Sequence, residues 1–167
     1  MNYGFVKVAS AIPSVRVADC NYNEQHIESL VLQAEGKGVE IICFPELSIC
    51  GYTCADLFGQ QLVLDSCQEA LFRLLDVTRS LNIISIIGMP VQYNGMLFNA
   101  AVVVQGGKIL GIVPKTYLPN YREFYEKRWF TSALAIDTVE THLCGQAVTM
   151  GRNLIFNASS CNFAIKL

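Results

Sequence analysis

An α/β domain built on a mixed sheet is the fold this sequence predicts, and three observations carry that prediction. Strand-like and helix-like patterns alternate as strand–helix–strand–helix–strand up to residue 88, the order that crossover connections produce. Two turn signals, Asn94-Gly95 and Gly106-Gly107, then follow in quick succession and mark an antiparallel meander. The 167 residues are 52% hydrophobic and only 16% charged, against a usual charged share of about 25%, so one sizeable core is within reach.

Each element has its own signal. Residues Phe5 to Val15 are β-branched and small, and predict a first strand. Asn23 then stands before an amphipathic pattern through Ile27, Leu30, Val31 and Ala34, with Asn23 as its cap and Gly36 or Gly38 as its stop. The run from Val39 to Phe44 is wholly apolar apart from Glu40 and ends at Pro45, as a strand buried on both faces does. Helical spacing returns from about Ser66 to Leu81, and Ile83 to Gly88 reads as the next strand. Beyond the two turns come strands over Leu97–Gln105 and Lys108–Val113. The weakly patterned segment from Thr138 to Gly151 is expected to be a loop excursion, and no internal domain boundary is visible.

Composition excludes several classes of function. The formal net charge of −2, a pI near 5.6 and the lack of any basic cluster argue against nucleic acid or an anionic membrane as partner. The first residues lack the charged-then-apolar plan of a signal peptide, and no apolar stretch nears the ~20 residues that span a bilayer. Seven cysteines, an odd number in mostly apolar settings, suit reduced thiols in a cytoplasmic protein. Cys50 and Cys54 have no second ligand pair, so no metal site is expected. The apolar excess suits a domain covered by a partner subunit, a second domain or further chain, and a homo-oligomer is expected.

Two ionisable residues of opposite sign stand at strand ends. Glu46 comes two residues after the apolar strand ending at Phe44, at the carboxyl edge where open α/β sheets bind ligands. Low dielectric behind it would raise its pKa towards the range of a general base; capping a loop or pairing with a surface cation is the plainer alternative. Lys115 follows the apolar strand ending at Val113 and Pro114. A lysine fixed there donates to a developing oxyanion or pairs tightly with Glu46; a solvated strand-end lysine is the plainer alternative. The stretch from Asn120 to Phe130 mixes aromatics with charges of both signs, which suits a lid or pocket wall. His26 and His142 have no partners at ligand or triad spacing, and Asp56 and Asp65 are expected to cap or solvate helical segments. Phosphate-binding glycine motifs are absent.

Pro45-Glu-Leu47 with Gly51-Tyr52, then Pro114-Lys115, on this plan of elements, resembles the nitrilase or carbon–nitrogen hydrolase superfamily. Three stretches are similar, more narrowly, to the glutamine-amidase domain of glutamine-dependent NAD synthetases: Tyr3 to Ala9, Phe44 to Tyr52 and Pro114 to Phe130. The similarity runs over nearly the whole chain, and the Asn120 to Glu126 run is the discriminating part, since other nitrilases share only the lysine. The resemblance implies an α-β-β-α sandwich, incomplete at the C-terminus here, and a Glu–Lys–Cys triad. Residues 1–167 would be the N-terminal part of the amidase domain, with the synthetase domain outside the chain.

The nucleophile of that family follows an apolar strand, in a pattern to which Phe163-Ala-Ile-Lys-Leu167 matches. The cysteine is therefore expected as the residue after Leu167, and Cys161, in the turn-like Asn157-Ala-Ser-Ser-Cys-Asn162, is expected to be a loop thiol. What the resemblance implies for the other residues is specific. Glu46 is the general base, Lys115 stabilises the oxyanion, Tyr52 and Tyr121 line a glutamine pocket, and Glu126 supports the lysine or the substrate. Glutamine is the substrate, and the ammonia released amidates deamido-NAD in a synthetase domain that uses ATP and magnesium. No cofactor is expected in these 167 residues, and the chain by itself is expected to be inactive. The rival expectations are a carbon–nitrogen hydrolase acting on another amide or nitrile, and a non-catalytic interaction module on the same fold.

Overall fold

In the computed structural model, residues 5–158 and 163–166 are described. Their backbone forms a seven-stranded mixed sheet and a separate two-stranded one. The first half follows the crossover order. Strand β1 (Val8–Ser10) leads to helix α1 (Cys20–Gly36), β2 (Ile41–Cys43), helix α2 (Gln61–Val77) and β3 (Ile84–Tyr93). β1, β2 and β3 are parallel neighbours. The meander continues with β4 (Met96–Gln105) and β5 (Lys108–Pro114), both antiparallel to their predecessors. Both expected turns hold positive φ at their two central residues, 48° and 75° at Asn94-Gly95 and 57° and 74° at Gly106-Gly107, the conformation that matches the twist of the joined strands.

Three expectations need correction. The first strand covers only Val8–Ser10 of the Phe5–Val15 run. Asn23 does not cap α1: the helix begins at Cys20, and Asp19 is the cap, its carboxylate accepting from the Tyr22 amide at 3.1 Å. Buried Asn23 instead donates to the carbonyls of Arg16 and Ile49 and accepts from the Arg16 amide, stitching two loops together. The segment Thr138 to Gly151 is no loop excursion. It is a hairpin of β6 (Val139–Leu143) and β7 (Gln146–Met150), turned by Cys144 and Gly145 at φ 50° and 74°. β7 adds to β5 in parallel and extends the sheet. Its short strands and a cysteine at the first turn position gave no clear pattern.

The helices cover one face of the sheet. α2 presents Val63, Cys67, Ala70, Leu71 and Leu74 to the core, and α1 presents Ile27, Val31 and Ala34, against Ile42, Ile87, Val102 and Val104 of the strands. The ion pair of buried Glu24 with Arg73 at 2.9 Å ties the two helices. On the other face, Ile41, Ile86 and Val103 form a second cluster with Phe156 against it. Phe156 belongs to β8 (Ile155–Ala158), which pairs with β9 (Phe163–Lys166) as the second sheet. Gly111 makes that approach possible: a Cβ there would lie 2.9 Å from the Phe156 ring. The layers run helices, large sheet, second sheet, the mixed α/β sandwich expected from the sequence. Among the described residues no helix is long and apolar enough to cross a membrane.

Candidate active site

Glu46 is presented by a tight turn at the end of β2. Pro45 cannot continue the ladder, Leu47 takes a left-handed conformation at φ 52°, and its side chain is fully buried as an anchor. The turn rests on Gly88 of β3, whose carbonyl accepts from the Ile49 amide and the Ser48 hydroxyl, both at 3.3 Å. Lys115 leaves β5 immediately after Pro114. Its amide donates to the Asn99 carbonyl at 2.8 Å and its carbonyl accepts from the Ala133 amide at 3.0 Å, so its backbone is tied on both sides.

The two side chains meet. Lys115 Nζ lies 2.9 Å from Glu46 Oε1 and 2.8 Å from Oε2, and a third contact joins it to Glu126 Oε1 at 3.0 Å. Glu126 is buried, and its Oε1 also accepts from the Tyr52 hydroxyl at 2.6 Å. Its Oε2 is buried with no partner among the described residues. Four residues from three separate regions thus form one chain of hydrogen bonds, Tyr52–Glu126–Lys115–Glu46. Glu46 is half exposed, 50% for its side chain, so the dry setting expected from its place behind an apolar strand is replaced by an ion pair at the surface of a cavity.

The electrostatics follow from these contacts. Burial works against the Lys115 charge, but the hydrogen bonds it donates to Glu46 and Glu126 outweigh that and the net effect raises its pKa. Burial, then the bond to Glu126, pushes the Tyr52 hydroxyl well above its ordinary value, so it stays a donor. A cavity of about 330 Å³ opens beside the pair, walled by Phe44, Val113 and Asn99, with Arg152 at its lining. Its size fits a small ligand. Cys43 also lines it, and burial pushes that thiol's pKa up, which disfavours the thiolate.

Other candidates resolve differently. Tyr121 is 64% exposed and meets Phe124 edge-on, with ring centroids 5.8 Å apart; it makes no hydrogen bond to Glu46 or Lys115. The 120–130 run is a loop closing on the short helix α3 (Glu126–Trp129), whose first residue is the one that reaches the lysine. Asp56 is more than a cap or a solvated charge. It accepts from Arg128 Nε at 2.7 Å, from the second Arg128 nitrogen at 3.0 Å and from Trp129 Nε1 at 2.9 Å. The hydrogen bonds from Arg128, then Trp129, hold its carboxyl at about 2. With the Phe58 ring packed at a tilt against Phe130, this clamps α3 to the 3₁₀ turn Ala55–Gly59.

Asp65 accepts from Gln61 one helical turn away. His26 packs on Tyr22 and sits outside the cavity lining, as does His142. Cys54 donates to the Cys50 carbonyl at 3.0 Å, and no three His, Cys, Asp or Glu residues among those described are grouped to hold a metal ion. Cys161 lies outside the described residues. Asn99 went unnoticed in the sequence: it is buried, and its Nδ2 donates to Glu46 Oε2 at 3.0 Å. A lone asparagine inside an apolar strand was its only signal.

Comparison with known proteins shows what the chain is similar to. Residues 7–161 match the family Carbon-nitrogen hydrolase. A glutamine-dependent NAD(+) synthetase of Mycobacterium tuberculosis (strain H37Rv) is 32% identical over 157 residues, which is 94% of this chain and 23% of that protein. The crystal structure of a glutamine-dependent NAD(+) synthetase from Cytophaga hutchinsonii superposes with a TM-score of 0.85 at 27% identity, over 92% of this chain and 26% of that one. An amidase from Nesterenkonia sp. shares the fold, with a TM-score of 0.66 at 19% identity over 87% of this chain and 54% of that one. The chain spans about a quarter of the length of the synthetases it matches.

Proposed function

The chain belongs to the carbon–nitrogen hydrolase family, and on that premise we propose that it forms the N-terminal part of a glutamine-amidase domain serving NAD synthesis. The observation that carries this reading is the Glu46–Lys115 contact beside a cavity, with Lys115 held from behind by Glu126. A carboxylate, a lysine and a thiol are what amide hydrolysis through a thioester needs. The first two meet in this chain; among the described residues Cys43 lines the cavity with its thiolate disfavoured by burial, so the reading calls for another cysteine as the nucleophile.

Glu46 takes the thiol proton, and the sulfur attacks the γ-carboxamide carbon of glutamine. Lys115 has three N–H groups. A contact shared between the two Glu46 oxygens and one bond to Glu126 leave the third for the oxyanion of the tetrahedral intermediate. Glu46 then gives its proton to the departing nitrogen, and ammonia leaves. A water deprotonated by Glu46 opens the γ-glutamyl thioester, releasing glutamate and restoring the thiol. Tyr52, whose hydroxyl binds Glu126, and exposed Tyr121 stand outside the cavity lining and are assigned to the glutamine by resemblance to the synthetase amidases, and Glu126 keeps the lysine charged and aimed. The ammonia amidates deamido-NAD in a synthetase domain with its own ATP and magnesium.

The test is ammonia release from glutamine by the full-length protein carrying this sequence. Glu46→Gln is expected to lose about 10²–10⁴-fold as a missing general base does, and Lys115→Met about 10²–10³-fold as a missing oxyanion donor does. Turnover of other amides or nitriles with none of glutamine would replace the substrate. No turnover of any of them would point to an interaction module.

A further inference from the structure

Asn99 touches both halves of the proposed machinery from one position on β4. Its backbone carbonyl accepts the Lys115 amide at 2.8 Å, and its side-chain Nδ2 donates to Glu46 Oε2 at 3.0 Å. The residue is 3% exposed, so its own donor is shielded from water, although the Glu46 carboxylate it meets is half exposed. The amide orientation follows from its partner, since an ionised carboxylate only accepts.

The two Glu46 oxygens are thereby made unequal. Lys115 Nζ sits almost symmetrically between them, at 2.9 and 2.8 Å, and a compact ammonium in that place does little to set the carboxylate's rotation. The Asn99 donor breaks the symmetry. Oε2 receives two donors and Oε1 one, so Oε1 keeps the greater free capacity to accept a proton. We propose that Asn99 is a positioning residue, turning the Glu46 carboxylate so that Oε1 takes the proton of the attacking thiol and later hands it to the departing nitrogen. This role rests on the glutaminase reading above. The donor must also be neutral: an aspartate there would set a second carboxylate against the first.

The experiment has a structural arm and a kinetic arm, both in the full-length protein. In a crystal structure of Asn99→Leu, which keeps the branched outline but has no N–H to donate, the Glu46 carboxylate is expected to rotate away from its wild-type plane while the Lys115 backbone stays in place. For glutamine hydrolysis, Asn99→Leu is expected to lower kcat about 100-fold with KM within about twofold, the pattern of a misaligned reacting group. Asn99→Asp is expected to fall at least as far and to move the acid limb of kcat/KM to higher pH. An Asn99→Leu protein with its Glu46 carboxylate unmoved, or with kcat within about threefold of wild type, overturns the proposal. Should Asn99→Leu not fold, Asn99→Ser, too short to reach Oε2, is expected to show the same drop. Should the wild-type protein release no ammonia from glutamine, the functional reading fails, and the structural arm still decides whether Asn99 orients Glu46.

Discussion

A methyl group on Gly88 would lie 2.5 Å from the Leu47 amide nitrogen and 2.9 Å from the carbonyl carbon of Glu46, so the turn that presents the carboxylate exists only because β3 carries no side chain there. Gly88→Ala must push that turn off the sheet, at a cost of about 1–3 kcal/mol for overpacking. Gly59→Ala is the control, since a Cβ at Gly59 meets nothing within 4 Å. Urea unfolding of the two variants is expected to separate them; equal stability would mean that the turn has room to shift.

Lys115 is the cation that makes buried Glu126 tolerable. Lys115→Met leaves that carboxylate buried and unpaired, and a loss of about 3–5 kcal/mol is expected by denaturant titration. Adding Glu126→Gln should recover much of the loss, because the orphaned charge is then gone. A double variant as unstable as the single one would show that packing, not charge, sets the cost.

The same lysine predicts an alkaline signature. Its pKa is raised in the folded chain, so its contribution to stability is fully present below the ordinary lysine value of about 10.4 and is lost as pH rises through the higher folded value. Stability measured from pH 9 upward should fall in the wild type, and that part of the slope should vanish in Lys115→Met.

Asp56 acts in the acid range. Its carboxyl is held at about 2, so its contribution is present above the ordinary carboxylate range and is lost as pH falls through about 2. Asp56→Ala removes the acceptor for Arg128 and Trp129 at every pH. Hydrogen exchange at the Arg128 and Phe130 amides, which close α3, is expected to speed up several-fold in that variant. Unchanged exchange would mean that the Phe58–Phe130 contact alone holds the helix.

The 167-residue polypeptide assayed by itself is expected to release no ammonia from glutamine. Cys43 is the described cysteine that lines the cavity, and burial disfavours its thiolate. Turnover abolished by Cys43→Ala would make it the nucleophile after all, and turnover abolished by Cys161→Ala would assign that role to Cys161.

Much of this was legible in the sequence because the signals are local. Asn94-Gly95 and Gly106-Gly107 demand particular backbone angles, and apolar spacing through α2 marks one buried face. Glu46 and Lys115 drew notice because each follows an apolar strand, and the run to Glu126 supplied the third member. Other features were hidden because they depend on distant partners. Asn23 has the chemistry of a cap, yet two loops claim its side chain. The hairpin of β6 and β7 becomes a sheet element only when β5 offers an edge. Asp56 is an ordinary exposed acid until Arg128 and Trp129 are brought to it.

By itself the sequence determined the α/β class, the order of most elements and the two strand-end residues of opposite charge, Glu46 and Lys115. Backbone preference, side-chain periodicity and breakers such as Pro45 act over a few residues and can be read there. Only the tertiary structure decided that Glu46 and Lys115, 69 residues apart, share hydrogen bonds, that Tyr52 and Glu126 stand behind them, and that Asn99 ties both together. A hydrogen bond needs its atoms within about 3 Å, and no local pattern encodes which distant strands the sheet will set side by side.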